Sequence, residues 1–174
     1  MERLYPIGIQ NFEDLRRNGY IYVDKTALIH RLVRTGKYYF LGRPRRFGKS
    51  LMISTLEAYF QGKRELFKGL DIEKLEKEWT VRPVLHLDLN SRNYNGIESL
   101  KAILNQHLEK WEKMYGCEKQ NRAPEERFAY IIEHAAKQTG QNVAILIDEY
   151  DKPLIQAIGN EKLQDEYRNT LKAF

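Results

Sequence analysis

The chain has 174 residues, enough for one domain with a sizeable core, of which 42% are apolar and 30% charged. No apolar run reaches the length of a membrane span, and the lone Cys117 excludes a disulfide framework or a thiolate metal cluster. The net charge of +5, from 29 basic and 24 acidic residues, is too modest to name a polyanionic partner by its sign alone.

The start, Met1-Glu2-Arg3-Leu4-Tyr5-Pro6, has neither the basic lead nor the apolar core of a signal peptide, so a cytoplasmic location is expected. Asn11 is placed to cap a short helix through Arg17 that Gly19 would stop. A brief extended piece follows at Tyr20-Ile21-Tyr22-Val23. Asp24 then caps an amphipathic helix with Leu28, Leu32 and Val33 inward and Gly36 at its end. Lys37 to Leu41 is expected to form the first core strand. A basic, Gly-bounded loop comes next, and Met52, Ile53, Leu56, Tyr59 and Phe60 recur at helical spacing up to Gly62.

A charged helix is predicted from about Asp71 to Glu78. Val84-Leu85-His86-Leu87-Asp88-Leu89 is the second expected strand, entered at Pro83. A long helix runs from Gly96 to Tyr115, with Leu100, Ile103, Leu104, His107, Leu108 and Trp111 on one stripe. Pro124 opens another, with Phe128, Ile131, Ile132 and Ala135 inward and Gly140 after its end. Val143 to Ile147 is the third expected strand, and two short helical pieces finish the chain. His30, His86, His107 and His134 fall in no metal-ligand spacing and are read as surface or helix-face residues.

Alternation of strands and helices predicts an α/β fold: a three-layer αβα arrangement with a mainly parallel sheet, treated as one domain over residues 1–174 with 1–36 as a lead-in. Right-handed crossovers would bring the strand C-termini to one edge, where open parallel sheets bind ligands.

Two motifs lie at such ends. In Gly42-Arg43-Pro44-Arg45-Arg46-Phe47-Gly48-Lys49-Ser50 a strand-like run breaks into a basic loop and Gly-Lys-Ser opens a helix. That order of parts suits a phosphate, because loop N–H groups turn inward and the helix points its positive end at the anion. The usual pattern puts glycine at position 43; Arg43 stands there and Gly42 sits one residue earlier. Arg45, Arg46, Phe47, Gly48, Lys49, Ser50 and Leu51 form the expected nucleotide-binding stretch. Lys49 would reach the β- and γ-phosphates as a point charge, and Ser50 would offer its hydroxyl to Mg²⁺.

The second motif is Val143-Ala144-Ile145-Leu146-Ile147-Asp148-Glu149, an apolar run ending in two acids. Asp148 would hold Mg²⁺ through its water shell and Glu149 would polarise the water attacking the γ-phosphate. The competing reading is a buried strand ending in two solvated acids; the Gly-Lys-Ser loop some 100 residues upstream argues against it. The expected ligands are therefore ATP and Mg²⁺, with Lys49 and Glu149 as the catalytic pair and Ser50 and Asp148 at the metal.

Other residues carry two readings each. Arg45 and Arg46 either touch the γ-phosphate or make surface ion pairs. Asp88 either assists water or metal, or serves the turn after its strand. The basic residues Arg16, Arg17, Arg31, Arg34 and Lys37 either form a nucleic-acid face or solvated helix faces. With Glu13, Asp14 and Asp24 interspersed and no recognition helix or stacking pattern, the second is favoured.

These motifs, together with Ile7-Gly8, Phe12, Tyr22-Val23-Asp24-Lys25-Thr26, Leu85-His86-Leu87-Asp88 and Ile147-Asp148-Glu149-Tyr150-Asp151-Lys152-Pro153, resemble the bacterial AAA-ATPase-like proteins, which often carry a nuclease-like domain of the PD-(D/E)XK type at their C-terminus. In that family Arg at position 43 is the expected residue. The resemblance implies ATP hydrolysis in the complete protein, with a sensor strand and any arginine finger supplied beyond Phe174 or by a neighbouring subunit. It also hints that Asp24 and Lys25 border the adenine or ribose, the alternative being a helix cap and a surface lysine. A nucleotide-dependent switch that does not hydrolyse is the competing function class. A half-filled sheet would expose apolar edges and favour self-association.

Overall fold

The computed structural model describes residues 4–42, 44, 47–91, 93–117 and 122–174. They form two compact units, one ending at Arg82 and the other beginning at Pro83.

The first unit is built from helices. Asn11 caps α1 (Phe12–Arg17) by accepting the Asp14 N–H at 3.0 Å, and Gly19 takes a left-handed φ of 70° just past its end. α2 (Thr26–Thr35) packs on α4 (Asp71–Leu75), and α3 (Lys49–Phe60) packs on α1. A short 3-10 turn, Arg64–Phe67, links α3 to α4. Between the helices lies an aromatic cluster. Phe12 meets Tyr22 at 5.1 Å and Phe67 at 4.9 Å between ring centroids, and Trp79 meets Phe67 at 5.2 Å and Tyr59 at 5.8 Å. Each fully buried ring of this kind stabilises by about 1.5–3 kcal/mol from area alone.

Polar ties complete the first unit. The Asp24 carboxylate accepts the Thr26 N–H and hydroxyl with one oxygen and the Asp71 N–H with the other, at 2.7–2.8 Å. Burial pushes this carboxyl up, but those donors outweigh it and hold it below its usual value. Asp24 thus starts α2 and fastens it to α4. That geometry turns Thr26 and Ile29 inward and leaves Leu28, expected inside, 58% exposed.

Glu76, expected within a charged helix, instead turns into the fold where α4 ends at Leu75. Its carboxylate accepts the Tyr59 hydroxyl, the N–H groups of Lys77 and Glu78, and Arg34 Nη2 at 3.2 Å. Burial opposes its charge, but the Tyr59 hydroxyl, the Glu78 N–H, Arg34 and the Lys77 N–H together hold its pKa at about 2. His30, on α2, is half-buried, and its Nε2 lies 3.9 Å from this carboxylate, so it is a helix-face histidine, one of the two placements expected for it.

The second unit contains the sheet. β1 (Val84–Asp88) and β2 (Ala144–Asp148) pair in parallel, with Val84 opposite Ala144 and Asp88 opposite Asp148. The crossover between them is α5 (Ile97–Tyr115) followed by α6 (Pro124–Thr139); α7 (Lys152–Gln156) and α8 (Glu161–Ala173) follow β2. Leu85, Leu87 and Leu89 pack with the α5 stripe Leu100, Ile103, Leu104, Leu108 and Trp111 and with Ile131, Ala135 and Tyr167. His86 lies within β1, half-buried, and not on a helix. Inside this core a bidentate pair joins Arg127 to Glu112 at 2.7 and 2.8 Å, and Arg127 Nη1 also donates to Asn105 Oδ1 at 2.6 Å. Burial pushes the Cys117 thiol up, and Glu112 adds to that shift, so the thiol stays protonated and chemically quiet.

The described residues are therefore an α/β structure whose sheet has two parallel strands. One expected strand is corrected. Lys37 to Leu41 has no strand pairing, and Tyr38 and Phe40 are 94% and 74% exposed. Tyr39 folds back instead, its hydroxyl donating to the Leu32 carbonyl at 2.6 Å at the end of α2. Apolar content makes a segment able to be a strand, but only a neighbouring ladder makes it one. Among the described residues of the first unit, the only β pairing is an isolated bridge between Leu4 and Tyr20.

Candidate functional site

The Gly-Lys-Ser motif sits in the first unit. Gly48 caps α3 with φ 74° and ψ 25°, a left-handed conformation that L side chains resist. A Cβ there would meet nothing within 4 Å, so backbone conformation and not crowding calls for glycine. The Met52 N–H makes the bond to the Gly48 carbonyl, at 3.0 Å, and no side chain caps the helix. The N–H groups of Lys49, Ser50 and Leu51 thus precede the helical ladder, at the end where the helix dipole is positive.

No acidic residue stands in the first turn of α3. Lys49, Ser50 and Leu51 are half-buried and Phe47 is 63% exposed. The helix is held from behind by Ser54, whose Oγ accepts the Phe12 N–H at 2.9 Å and donates to the Leu51 carbonyl at 2.9 Å. Arg43, Arg45 and Arg46 lie outside the described residues.

Asp24 reads differently once its bonds are seen. Both of its oxygens serve the start of α2 and α4, which supports the helix-cap alternative over a nucleotide contact.

The acidic pair sits in the second unit, at the C-terminal end of the parallel pair. Asp148 is 8% exposed and its Oδ1 accepts the Glu149 N–H at 3.0 Å. Register places Asp88 opposite Asp148, a neighbour the sequence spacing could not supply. Asp88 Oδ1 accepts the Asn90 N–H at 2.8 Å, which is the turn role weighed for it above. His107 Nε2 stands 3.3 Å from the Asp88 carbonyl; burial lowers its pKa despite that contact.

Glu149 has φ 53°, a left-handed conformation that costs a non-glycine residue about 1 kcal/mol or more. Trp79, at φ 40°, is the other such residue among those described, and there the aromatic cluster offsets the strain. At Glu149 hydrogen bonds do so. Its N–H goes to Asp148 and its carbonyl accepts the Lys152 N–H at 3.0 Å. Strained side-chain-bearing residues of this kind concentrate where a protein must aim a functional group.

Among the described residues no three His, Cys, Asp or Glu side chains converge as a metal cage. Mg²⁺ at a phosphate needs no cage, because one or two protein oxygens, waters and the phosphates complete its shell. No helix among the described residues is long and apolar enough to cross a membrane.

Comparison with known proteins adds what geometry cannot. A protein of Azotobacter chroococcum mcd 1, described as an uncharacterized protein in the vnfD 5' region, is 36% identical over 169 residues. The alignment covers 96% of this chain and 33% of the relative, so the chain spans about a third of that protein's length. No solved structure matches. Residues 6–174 match the AAA-ATPase-like family, described as a predicted AAA-ATPase, which supports a general ATPase-like, nucleotide-binding function. With both motifs inside the matched range, the chain belongs to the AAA-ATPase-like family.

Proposed function

We propose that this chain binds Mg-ATP and, within the complete protein, hydrolyses it, as part of a three-layer P-loop sheet larger than the two strands described. Lys49 neutralises the β- and γ-phosphates, while the N–H groups at the start of α3 donate to phosphate oxygens. Arg45 and Arg46 add positive charge to the same loop. Ser50 and Asp148 would hold the metal, which would supply positive charge to offset that of the phosphates. Glu149 accepts a hydrogen bond from a water, orients it in line with the γ-phosphorus and takes its proton as the water oxygen bonds to phosphorus; the P–O bond to the β-phosphate breaks, and ADP and inorganic phosphate leave.

The observation that carries this reading is Glu149 itself. It is held left-handed directly after a buried Asp148, at the edge of a parallel pair. A nucleotide switch without hydrolysis has no need of a carboxylate at that position. Self-association is a further part of the proposal, supported by Ile145 and Ile147 on β2, which are 42% and 47% exposed. A cytoplasmic setting suits a nucleotide-dependent enzyme. For a nucleic-acid partner the support is charge alone.

Calorimetry with Mg-ATP tests the reading. Lys49→Ala is expected to abolish binding, and Glu149→Gln to keep binding while losing turnover by about 100-fold or more. Equal turnover in Glu149→Gln would overturn the role given to Glu149, and binding with no turnover in the complete protein would leave the switch as the better description.

A further inference from the structure

Two loops meet at the C-terminal edge of the sheet, and the bonds between them form a closed circuit. The Leu89 N–H donates to the Asp148 carbonyl at 3.2 Å. One residue on, Asn90 offers both its carbonyl and its side-chain Oδ1, the latter at 3.1 Å, to the Lys152 ammonium. The Lys152 N–H returns to the Glu149 carbonyl at 3.0 Å, and the Glu149 N–H returns to Asp148 Oδ1 at 3.0 Å. A second brace lies beside it. Gln156 Oε1 accepts the Tyr94 N–H at 2.7 Å, and the buried Tyr94 hydroxyl donates to the Leu89 carbonyl at 2.7 Å.

We infer that Lys152 is a positioning residue for Glu149, its ammonium fastening the turn after β2 to the loop after β1 so that the Glu149 side chain keeps one direction. This rests on the reading of Glu149 as the group that orients water. Two features of Lys152 single it out. Its ammonium takes neutral oxygens of Asn90 as acceptors, so it acts as a clasp and not as an ion pair. Its own N–H supports the left-handed residue whose conformation needs holding. Loss of the clasp frees the turn to relax toward ordinary backbone angles, and an error of about 1 Å in a catalytic group costs on the order of 100-fold in rate.

The test is steady-state ATP turnover by the intact protein with Lys49→Ala, Lys152→Met, Asn90→Ala and the Lys152→Met/Asn90→Ala double variant. For Lys152→Met we expect kcat to fall about 10–100-fold with KM for ATP within about twofold. Asn90→Ala is expected to do the same, and the double variant to be no worse than either single one, because both remove one clasp. A fall in kcat under tenfold overturns the inference. So does a fall in kcat that comes with weakened ATP binding and a lowered Tm, which would mark a merely structural lysine. Turnover undiminished in Lys49→Ala, or absent from the unsubstituted protein, overturns the hydrolytic reading and this inference with it.

Discussion

Residues 37–41 and 144–148 are two apolar segments, each leading toward a motif, yet only the second is a strand. β2 has a partner: β1 lies beside it in register, and α5 and α6 occupy the crossover between them. The segment before the Gly-Lys-Ser motif has no such ladder among the described residues of its unit, and Tyr38 and Phe40 face solvent. Strand formation is a property of a pair and not of a segment. The two units differ in the same sense. The second rests on a continuous apolar core around a sheet; the first rests on an aromatic cluster and on carboxylates, Asp24 and Glu76, that collect backbone N–H groups.

The comparison can be broken at three places, and one tryptophan in each unit, Trp79 and Trp111, reports on them by fluorescence. The largest effect is expected in the second unit. Glu112→Ala strands the buried Arg127 charge and should cost about 3–5 kcal/mol in urea unfolding. A cost near zero would mean that water or another carboxylate reaches Arg127.

An acid titration sharpens the contrast from the other side. Glu76 has its pKa depressed from 4.5 to about 2, so its stabilising effect is full above about pH 4.5 and is lost as pH falls toward 2. The Trp79 signal should therefore show acid destabilisation between those values, and Glu76→Gln should flatten it while lowering stability at pH 7. The smallest effect belongs to the exposed segment. Phe40→Ser should change stability by less than about 0.5 kcal/mol, measured by the same unfolding curve. A cost of several kcal/mol would show that Phe40 is covered in solution.

Much of the helical layout was legible because it depends on local signals. Asn11 at one end and Gly19 and Gly140 at others mark helix limits that the structure keeps. The stripe on α5 was legible for the same reason, since 3.6-residue spacing needs no knowledge of the partner. The acidic network around Glu76 was not. Glu76 looks like any surface residue of a charged stretch, and its partners Tyr59 and Arg34 stand 17 and 42 residues away. The Arg127–Glu112 pair was hidden likewise, 15 residues apart across two helices.

For the candidate site the division runs along chemistry and geometry. The sequence by itself supplied the candidates for meeting a nucleotide: glycine, lysine and serine at a helix start, and two acids at a strand end, residue types whose charge and hydrogen-bonding groups suit a phosphate and its metal. Only the tertiary structure decided that Asp88 stands opposite Asp148, that Glu149 is held left-handed, and that Lys152 closes on Asn90. Register, backbone strain and a clasp between loops 62 residues apart come from the meeting of distant segments, and local propensity has no term for that.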